Sequence, residues 1–208
     1  MKIFENFSDA WHFCLREVWT NGEDVIDDGL ILRERINVSL SARNCHQRDF
    51  VEAGANEERI ELMLRKYKSL EPVAPYDTSY GRLFRNQMGV DQIDWLIERL
   101  KGKTHTKSAT ISFHVPGNNR LSCISLMDCK IRDGALYLTS VYRSQNVLAS
   151  QPGNVCALRD FQQEIAQAVG TEVGVLTLHI LSAHIYQHDW GAAQRLIDGR
   201  KENGVNIL

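Results

Sequence analysis

The sequence predicts an α/β fold of the α+β kind, in one domain spanning residues 1–208. Three stretches carry that expectation. Asp133-Gly134 lies between two β-rich runs, and both residues tolerate the positive φ of a type I′ turn, so the segment from Cys123 to Ser144 reads as a tight hairpin. Val155, Leu158, Phe161, Ile165 and Val169 form an apolar stripe at helical spacing, closed by Gly170 as a C-cap. Val173 to Leu181 is apolar on both faces, the pattern of a buried strand.

Taken in order, Phe7, Trp11, Cys14, Leu15 and Val18 recur at three- and four-residue steps and predict a first helix, with Ser8 or Asp9 capping it. Asn21 to Gly29 is acidic and punctuated by glycine, which predicts a turn region. Ile31 to Ala42 alternates with period two from Ile36 onward and predicts a strand. Asn56 to Ser69 predicts a charged helix, and proline and glycine then mark a loop from Glu71 to Gly81. Asp91 to Leu100 predicts an amphipathic helix, with Val90, Ile93, Ile97 and Leu100 on one face. A polar turn from Lys101 to Ser108 leads into a strand from Ala109 to Val115, and Pro116-Gly117 turns the chain towards the hairpin. In the helix after the hairpin, Gln162, Gln163, Glu164 and Gln167 are expected to face out, with Asn154 at the entrance as an N-cap. Asp189 to Leu208 predicts a short charged helix and a frayed end.

Composition narrows the function classes. The net charge is −2, so bulk electrostatics points to neither nucleic acid nor a membrane surface as partner. Apolar runs break well before the ~18 residues that a bilayer span needs. The opening Met-Lys-Ile-Phe-Glu carries an acid early and no apolar signal-peptide core. The five cysteines are scattered, odd in number and without Cys-x-x-Cys spacing. That usage predicts free thiols in a reducing cytoplasm and no metal site.

The hairpin is where chemistry is expected. With a two-residue loop, Arg132 pairs with Ala135, Met127 with Ser140 and Cys123 with Ser144. A strict ladder puts Arg143 on the face opposite the Cys123 thiol. A single β-bulge would swing it onto the thiol's face. A cation near a cysteine favours the thiolate, the nucleophilic form.

Further motifs follow at set intervals. Arg143-Ser144 comes twenty residues after Cys123, then Pro152-Gly153-Asn154, then Ser182-Ala183-His184-Ile185-Tyr186 and Asp189-Trp190. With these residues the chain resembles, from about Asp91 to Trp190, the thymidylate synthase and pyrimidine nucleotide hydroxymethylase superfamily, most of all its short archaeal-type members. The resemblance implies a mixed β-sheet flanked by helices and a sheet-to-sheet homodimer with shared active sites. It implies attack of the Cys123 thiolate at C6 of a pyrimidine nucleoside monophosphate, leaving an enolate that carries charge at C5. Arg143 and Ser144 would bind the phosphate, and His184 with Tyr186, two residues apart in an extended chain, one sugar hydroxyl. Asn154 offers an acceptor and a donor that complement uracil's N3–H and O4, whereas cytosine reverses the pattern. Arg33 or Arg35 would reach the phosphate from the N-terminal strand, and Lys107 from the partner protomer.

Ile60-Glu61-Leu62-Met63-Leu64 resembles the segment bearing a glutamate that assists proton movement, which implies Glu61, with Glu58 and Glu57 as neighbours in that role. The sequence also departs from the family. Lys107-Ser108 stands where two arginines are usual, Phe84 replaces an indole in Tyr80-Gly81-x-x-x-Arg85, and Asn146 replaces an acid that organises the pterin. The long mobile tail of classical members has no counterpart after Trp190. The expected activity is methylation of dUMP or UMP with 5,10-methylenetetrahydrofolate or a related pterin. The alternatives are C5 hydroxymethylation of dUMP, dCMP, UMP or CMP, or a nucleotide-binding paralogue without catalysis.

Overall fold

The computed structural model describes residues 2–118 and 121–202, with residues 200–202 described by their backbone alone. The frayed end expected after the last helix lies outside the described residues. Strand β1 (Phe4–Asn6) runs directly into helix α1 (Phe7–Asn21), which buries Phe7, Trp11, Cys14, Leu15 and Val18 as its periodicity predicts. Asn6 occupies the N-cap position, so neither Ser8 nor Asp9 caps this helix.

The acidic region expected as a turn is a second hairpin. Strand β2 (Glu23–Asp27) pairs antiparallel with β3 (Leu30–Asn44) around Asp28 and Gly29, whose φ angles are 48° and 79°. Asp133 and Gly134 adopt the same left-handed pair, 49° and 76°. A short helix α2 (Gln47–Glu52), not expected from the sequence, precedes α3 (Glu57–Lys68). Asn56 caps α3 by accepting from the Arg59 N–H, Ser79 caps α4 (Tyr80–Arg85) and Asp91 caps α5 (Gln92–Gly102).

Strand β4 (Thr110–Ser112) then leads to β5 (Ile124–Arg132), β6 (Ala135–Tyr142) and the two-residue β7 (Gln145–Asn146). Helix α6 (Gln151–Val169) ends at Gly170, whose φ of 73° makes it the left-handed C-cap expected. Strand β8 (Glu172–Tyr186), one 3₁₀ turn and α7 (Trp190–Glu202) complete the described chain. Among the described residues no helix is long and apolar enough to cross a membrane.

The strands form one sheet in the order β1-β3-β8-β6-β5-β4, with β2 added on β3 and β7 on β8. Parallel pairs (β1/β3, β6/β8, β7/β8) mix with antiparallel ones, so the sheet is mixed and helix-flanked as expected. Leu136, Leu138, Leu176, Leu178 and Ile180 are fully buried in the same core as Leu158 and Ile165 of α6. Strand β8 is buried from Val175 to Leu178 and at Ile180, as expected, but exposed at the two ends of the expected stretch, Val173 and Leu181. Ser39 and Ser41 of β3 pair with His179 and Thr177 of β8.

Helix α6 also corrects the sequence reading at two points. It begins at Gln151, so Asn154 sits in its first turn rather than at the cap. Gln162 does not face out: it is buried and donates to the Leu136 and Gly174 carbonyls at 2.7 and 3.2 Å, tying the helix to the sheet. Gly153 marks the crossing with α3, where an added Cβ would lie 2.4 Å from Met63 Cβ and 2.9 Å from the Ile60 carbonyl oxygen. Gly153→Ala is therefore expected to destabilise the protein by about 1–3 kcal/mol, the usual cost of overpacking, read as a lower urea midpoint.

Candidate active site

The β5/β6 hairpin contains the bulge that its chemistry calls for. Met127 faces Ser140 and Leu126 faces Val141, but Ile124 then faces Tyr142, so Ser125 is the extra residue. The Arg143 N–H donates to the Cys123 carbonyl at 2.8 Å, placing Cys123 opposite Arg143 instead of Ser144. Cys123 is partly exposed, while Cys14, Cys45, Cys129 and Cys156 are buried. Burial pushes the Cys14 and Cys129 thiols up to about 12, so they stay neutral.

Cys123 stands where two lobes of one cleft meet. One lobe, about 370 Å³, is lined by Ser144, Asn146, Asn154, His184 and Tyr186 together with Arg59. The other, about 640 Å³, is lined by the apolar Leu83, Phe113, Val115 and Leu121 with polar Asp77 and Asn118. Cys123, Lys66 and Tyr80 line both. Seven of the residues singled out in the sequence therefore converge: Cys123, Ser144, Asn146, Asn154, His184 and Tyr186 on the first lobe, and Arg143 on the second.

The residues lining the first lobe hold three buried polar atoms without hydrogen-bond partners, Gln145 Nε2, Asn154 Oδ1 and His184 Nδ1. An unsatisfied buried acceptor or donor costs about 1–3 kcal/mol, which an occupant of the lobe with matching groups would recover. Burial holds the His184 pKa below the ordinary histidine value, which keeps the ring neutral. The His184 and Tyr186 rings meet edge to face at 5.0 Å, on one side of the strand as their spacing predicts, and His188 stacks on Tyr186. Asn146 lies in the same lobe, but its Oδ1 already accepts the Ala149 N–H at 2.9 Å. Below the thiol lies a buried tyrosine cluster. Tyr67 and Tyr142 share a 2.6 Å hydroxyl contact, and the Tyr80 ring packs edge-on against Tyr67 at 4.8 Å. Burial, and after it the nearby Cys123, raises the Tyr80 pKa well above the ordinary value.

Three expected residues lie elsewhere. Glu61 is exposed and lines neither lobe, because α3 turns Arg59, Met63 and Lys66 towards the cleft at spacings of four and three. Two residues from Met63, Glu61 is swung some 200° around the axis. Glu57 and Glu58 are exposed as well. Arg33 is engaged in the fold: it donates to Asp24 at 2.7 and 3.2 Å and lies 4.7 Å from the rings of both Trp19 and Trp190. Its guanidinium holds the Asp24 carboxyl below the usual range. Arg33→Ala is expected to lower the unfolding free energy by about 1–2 kcal/mol, for two cation–π contacts, and to leave nucleotide affinity unchanged in calorimetry. Arg35 is exposed and lines neither lobe, and Lys107 is exposed outside its own chain's cleft.

Sequence reasoning missed Lys66 and Arg59 and quoted Tyr80 only within a motif. The signal for the first two was the i, i+4, i+7 spacing of Arg59, Met63 and Lys66 on a helix read as uniformly solvated. Phe84, where the family carries an indole, is fully buried between Phe113 and Phe161, each 4.5 Å away. Arg85 ties α4 to α6 and α5 through Glu164 and Asp91.

A thymidylate synthase family profile matches residues 32–206. A protein of Methanosarcina mazei described as "Putative thymidylate synthase" is 33% identical over 202 residues, covering 94% of this chain and 93% of its own. One of Methanothermobacter thermautotrophicus with the same description is 37% identical over 211 residues, covering 91% of this chain and 95% of its own.

Proposed function

Because this chain belongs to the thymidylate synthase family, we propose that it transfers a one-carbon unit to C5 of a uracil nucleotide, dUMP or UMP, and that the product is methylated. The observation that carries the reading is the pair of unpartnered atoms, Asn154 Oδ1 and His184 Nδ1, in the lobe beside a partly exposed thiol. Asn154 Oδ1 accepts the uracil N3–H while its amide nitrogen donates to O4. Neutral His184 and the Tyr186 hydroxyl hold a sugar hydroxyl. Ser144, Arg143 and Arg59 offer the phosphate a hydroxyl and two guanidinium groups from one protomer.

The Cys123 thiolate forms a bond to C6, and the C5–C6 π electrons move to O4 as an enolate that Asn154 stabilises through its N–H. C5 is thereby made nucleophilic. After C5 has gained the carbon unit and lost its proton, the S–C6 bond breaks and the thiolate returns. Tyr80 donates to the sulfur and keeps its position between the lobes. The larger lobe fits a pterin: Phe113, Val115, Leu83 and Leu121 match a flat bicyclic ring, and Asp77 and Asn118 match its polar edge. When bound, 5,10-methylenetetrahydrofolate or a related pterin supplies the carbon unit and, for a methyl product, the hydride. Asn146, at the rim of the nucleotide lobe, has its amide nitrogen to offer the pterin.

The whole chain acts as one domain and pairs with a second copy through the open face of its sheet, around Val173 and Leu181. Lys107 then reaches the partner's phosphate. Sedimentation at twice 23.7 kDa is the expected result for this assembly. Tritium release from C5-labelled dUMP, UMP, dCMP and CMP, with the pterin present, tests the chemistry. Release from a uracil nucleotide with a gain of methyl mass is expected; hydroxymethyl mass would assign the alternative product. No release from any of the four, with nucleotide still bound, would sink the reading in favour of a non-catalytic binder.

A further inference from the structure

Arg143 is the cation that the hairpin register sets beside the nucleophile, and two of its guanidinium nitrogens bind main-chain carbonyls. Nε donates to the Ser122 carbonyl and Nη2 to the Leu121 carbonyl, each at 3.0 Å, and the side chain is exposed to water. Lys66 is placed differently. It is 6% exposed, and its Nζ lies over the rings of Tyr76 and Tyr80, 3.8 and 4.1 Å from their centroids. It lines both lobes, as Cys123 and Tyr80 do. Among the described residues no carboxylate forms an ion pair with Lys66. The ammonium rests on ring faces without a direct ion pair, and the groups that can oppose its charge are the thiol at the same junction and Asp77 in the larger lobe.

Resting on Cys123 as the nucleophile, we propose that Lys66 is the counter-ion that holds Cys123 as its thiolate, a positioning residue in the role that the sequence suggests for Arg143. The proton balance is simple. The Cys123 S–H bond breaks and its proton passes to water, leaving S⁻ beside the NH₃⁺ that Lys66 already carries. Electrostatics agrees with the geometry: burial lowers the Lys66 pKa, while the pull of Cys123 and then Asp77 opposes that fall. The other titratable groups facing the thiol do not compete. Tyr67, Tyr80 and Tyr142 stay protonated because burial raises each. Tyr186 is raised by burial and by Cys123, and His184 is kept neutral by burial.

The test uses the full chain without nucleotide, so it is independent of the reaction. The rate of iodoacetamide labelling at the Cys123 peptide is followed by mass from about pH 5 to 10; the other four thiols are buried and serve as internal controls. Removing an opposite charge within a few ångströms moves a pKa by about 1–3 units. Lys66→Met is thus expected to slow labelling of Cys123 at neutral pH roughly tenfold. Lys66→Arg should restore most of the profile, and Arg143→Met should leave it near that of the wild type. A wild-type profile in folded Lys66→Met, or a large shift in Arg143→Met alone, overturns the proposal.

A measurement on the unsubstituted protein covers the case in which the Lys66 variants fail to fold. Alkylating Cys123 removes the thiolate and should lower the Lys66 titration midpoint seen by NMR at its ε-methylene; an unmoved midpoint also overturns the proposal. Tritium release with an unshifted labelling profile would remove Lys66 from this role and keep the reaction. A shifted profile without release would do the reverse.

Discussion

Cys123→Ser is expected to lower turnover by on the order of 10⁴-fold or more, the scale seen when a covalent nucleophile is removed. The hydroxyl is far less acidic than a thiol, so at neutral pH the enolate-forming attack at C6 has almost no anion to begin with. Binding should survive. The groups proposed to grip the nucleotide, Asn154, His184, Tyr186 and Ser144, belong to α6, β8 and the turn after β6, and none takes its position from the sulfur. The Tyr80 hydroxyl can hydrogen-bond a serine oxygen, so the cluster beneath keeps its packing. Calorimetry with dUMP should therefore give an affinity near that of the wild type beside absent tritium release. Retained turnover would exclude the covalent mechanism outright. A joint loss of binding and turnover would make Cys123 part of the scaffold instead.

Much of this site was legible before the structure, for definite reasons. Asp133-Gly134 set the hairpin register, and with the register came the need for one bulge, which appears at Ser125. His184 and Tyr186 share a face because an extended chain repeats every two residues. The same turn chemistry at Asp28-Gly29 was passed over because β2, Glu-Asp-Val-Ile-Asp, is too acidic to show an apolar strand pattern; its pairing with the long β3 holds it. Helix α6 starts earlier than its stripe because the first turn packs through Gly153 and Asn154 rather than through large apolar side chains.

What stayed hidden depends on contacts between distant parts of the chain. Resemblance to a motif identified Glu61, but the inward face of α3 is set by its packing on Gly153 of α6, which turns Met63 and Lys66 to the cleft. Lys66 looked like any solvated helix charge until Tyr76 and Tyr80, from the following loop and helix, closed over it. Arg33 packs against two indoles, Trp19 and Trp190, that come from opposite ends of the sequence and that no local pattern connects to it. Local pattern reports turns and faces well. Which charged side chain is buried is decided by what covers it.

Asn154→Asp is expected to invert base preference, lowering kcat/KM for the uracil nucleotide by roughly 10²- to 10³-fold while raising that for the cytosine nucleotide. Asn154 is buried, and its Oδ1 has no protein partner, so the ligand must supply one. Uracil supplies N3–H to the oxygen and O4 to the amide nitrogen. A carboxylate has no donor for O4 and sets negative charge against it, leaving a buried acceptor unmet at a cost of about 1–3 kcal/mol, more when charged. Cytosine reverses the need: its 4-amino group donates, and N3 accepts from a carboxyl proton. The desolvated lobe favours that proton, because burial disfavours an isolated carboxylate. The variant should therefore act on cytosine nucleotides best below neutral pH, where the carboxyl is protonated, and lose that activity as pH rises through its pKa. Steady-state kinetics on dUMP and dCMP at two pH values measures both effects. An unchanged preference would mean that the amide does not read the base, and that Asn154 Oδ1 is satisfied by some other part of the nucleotide.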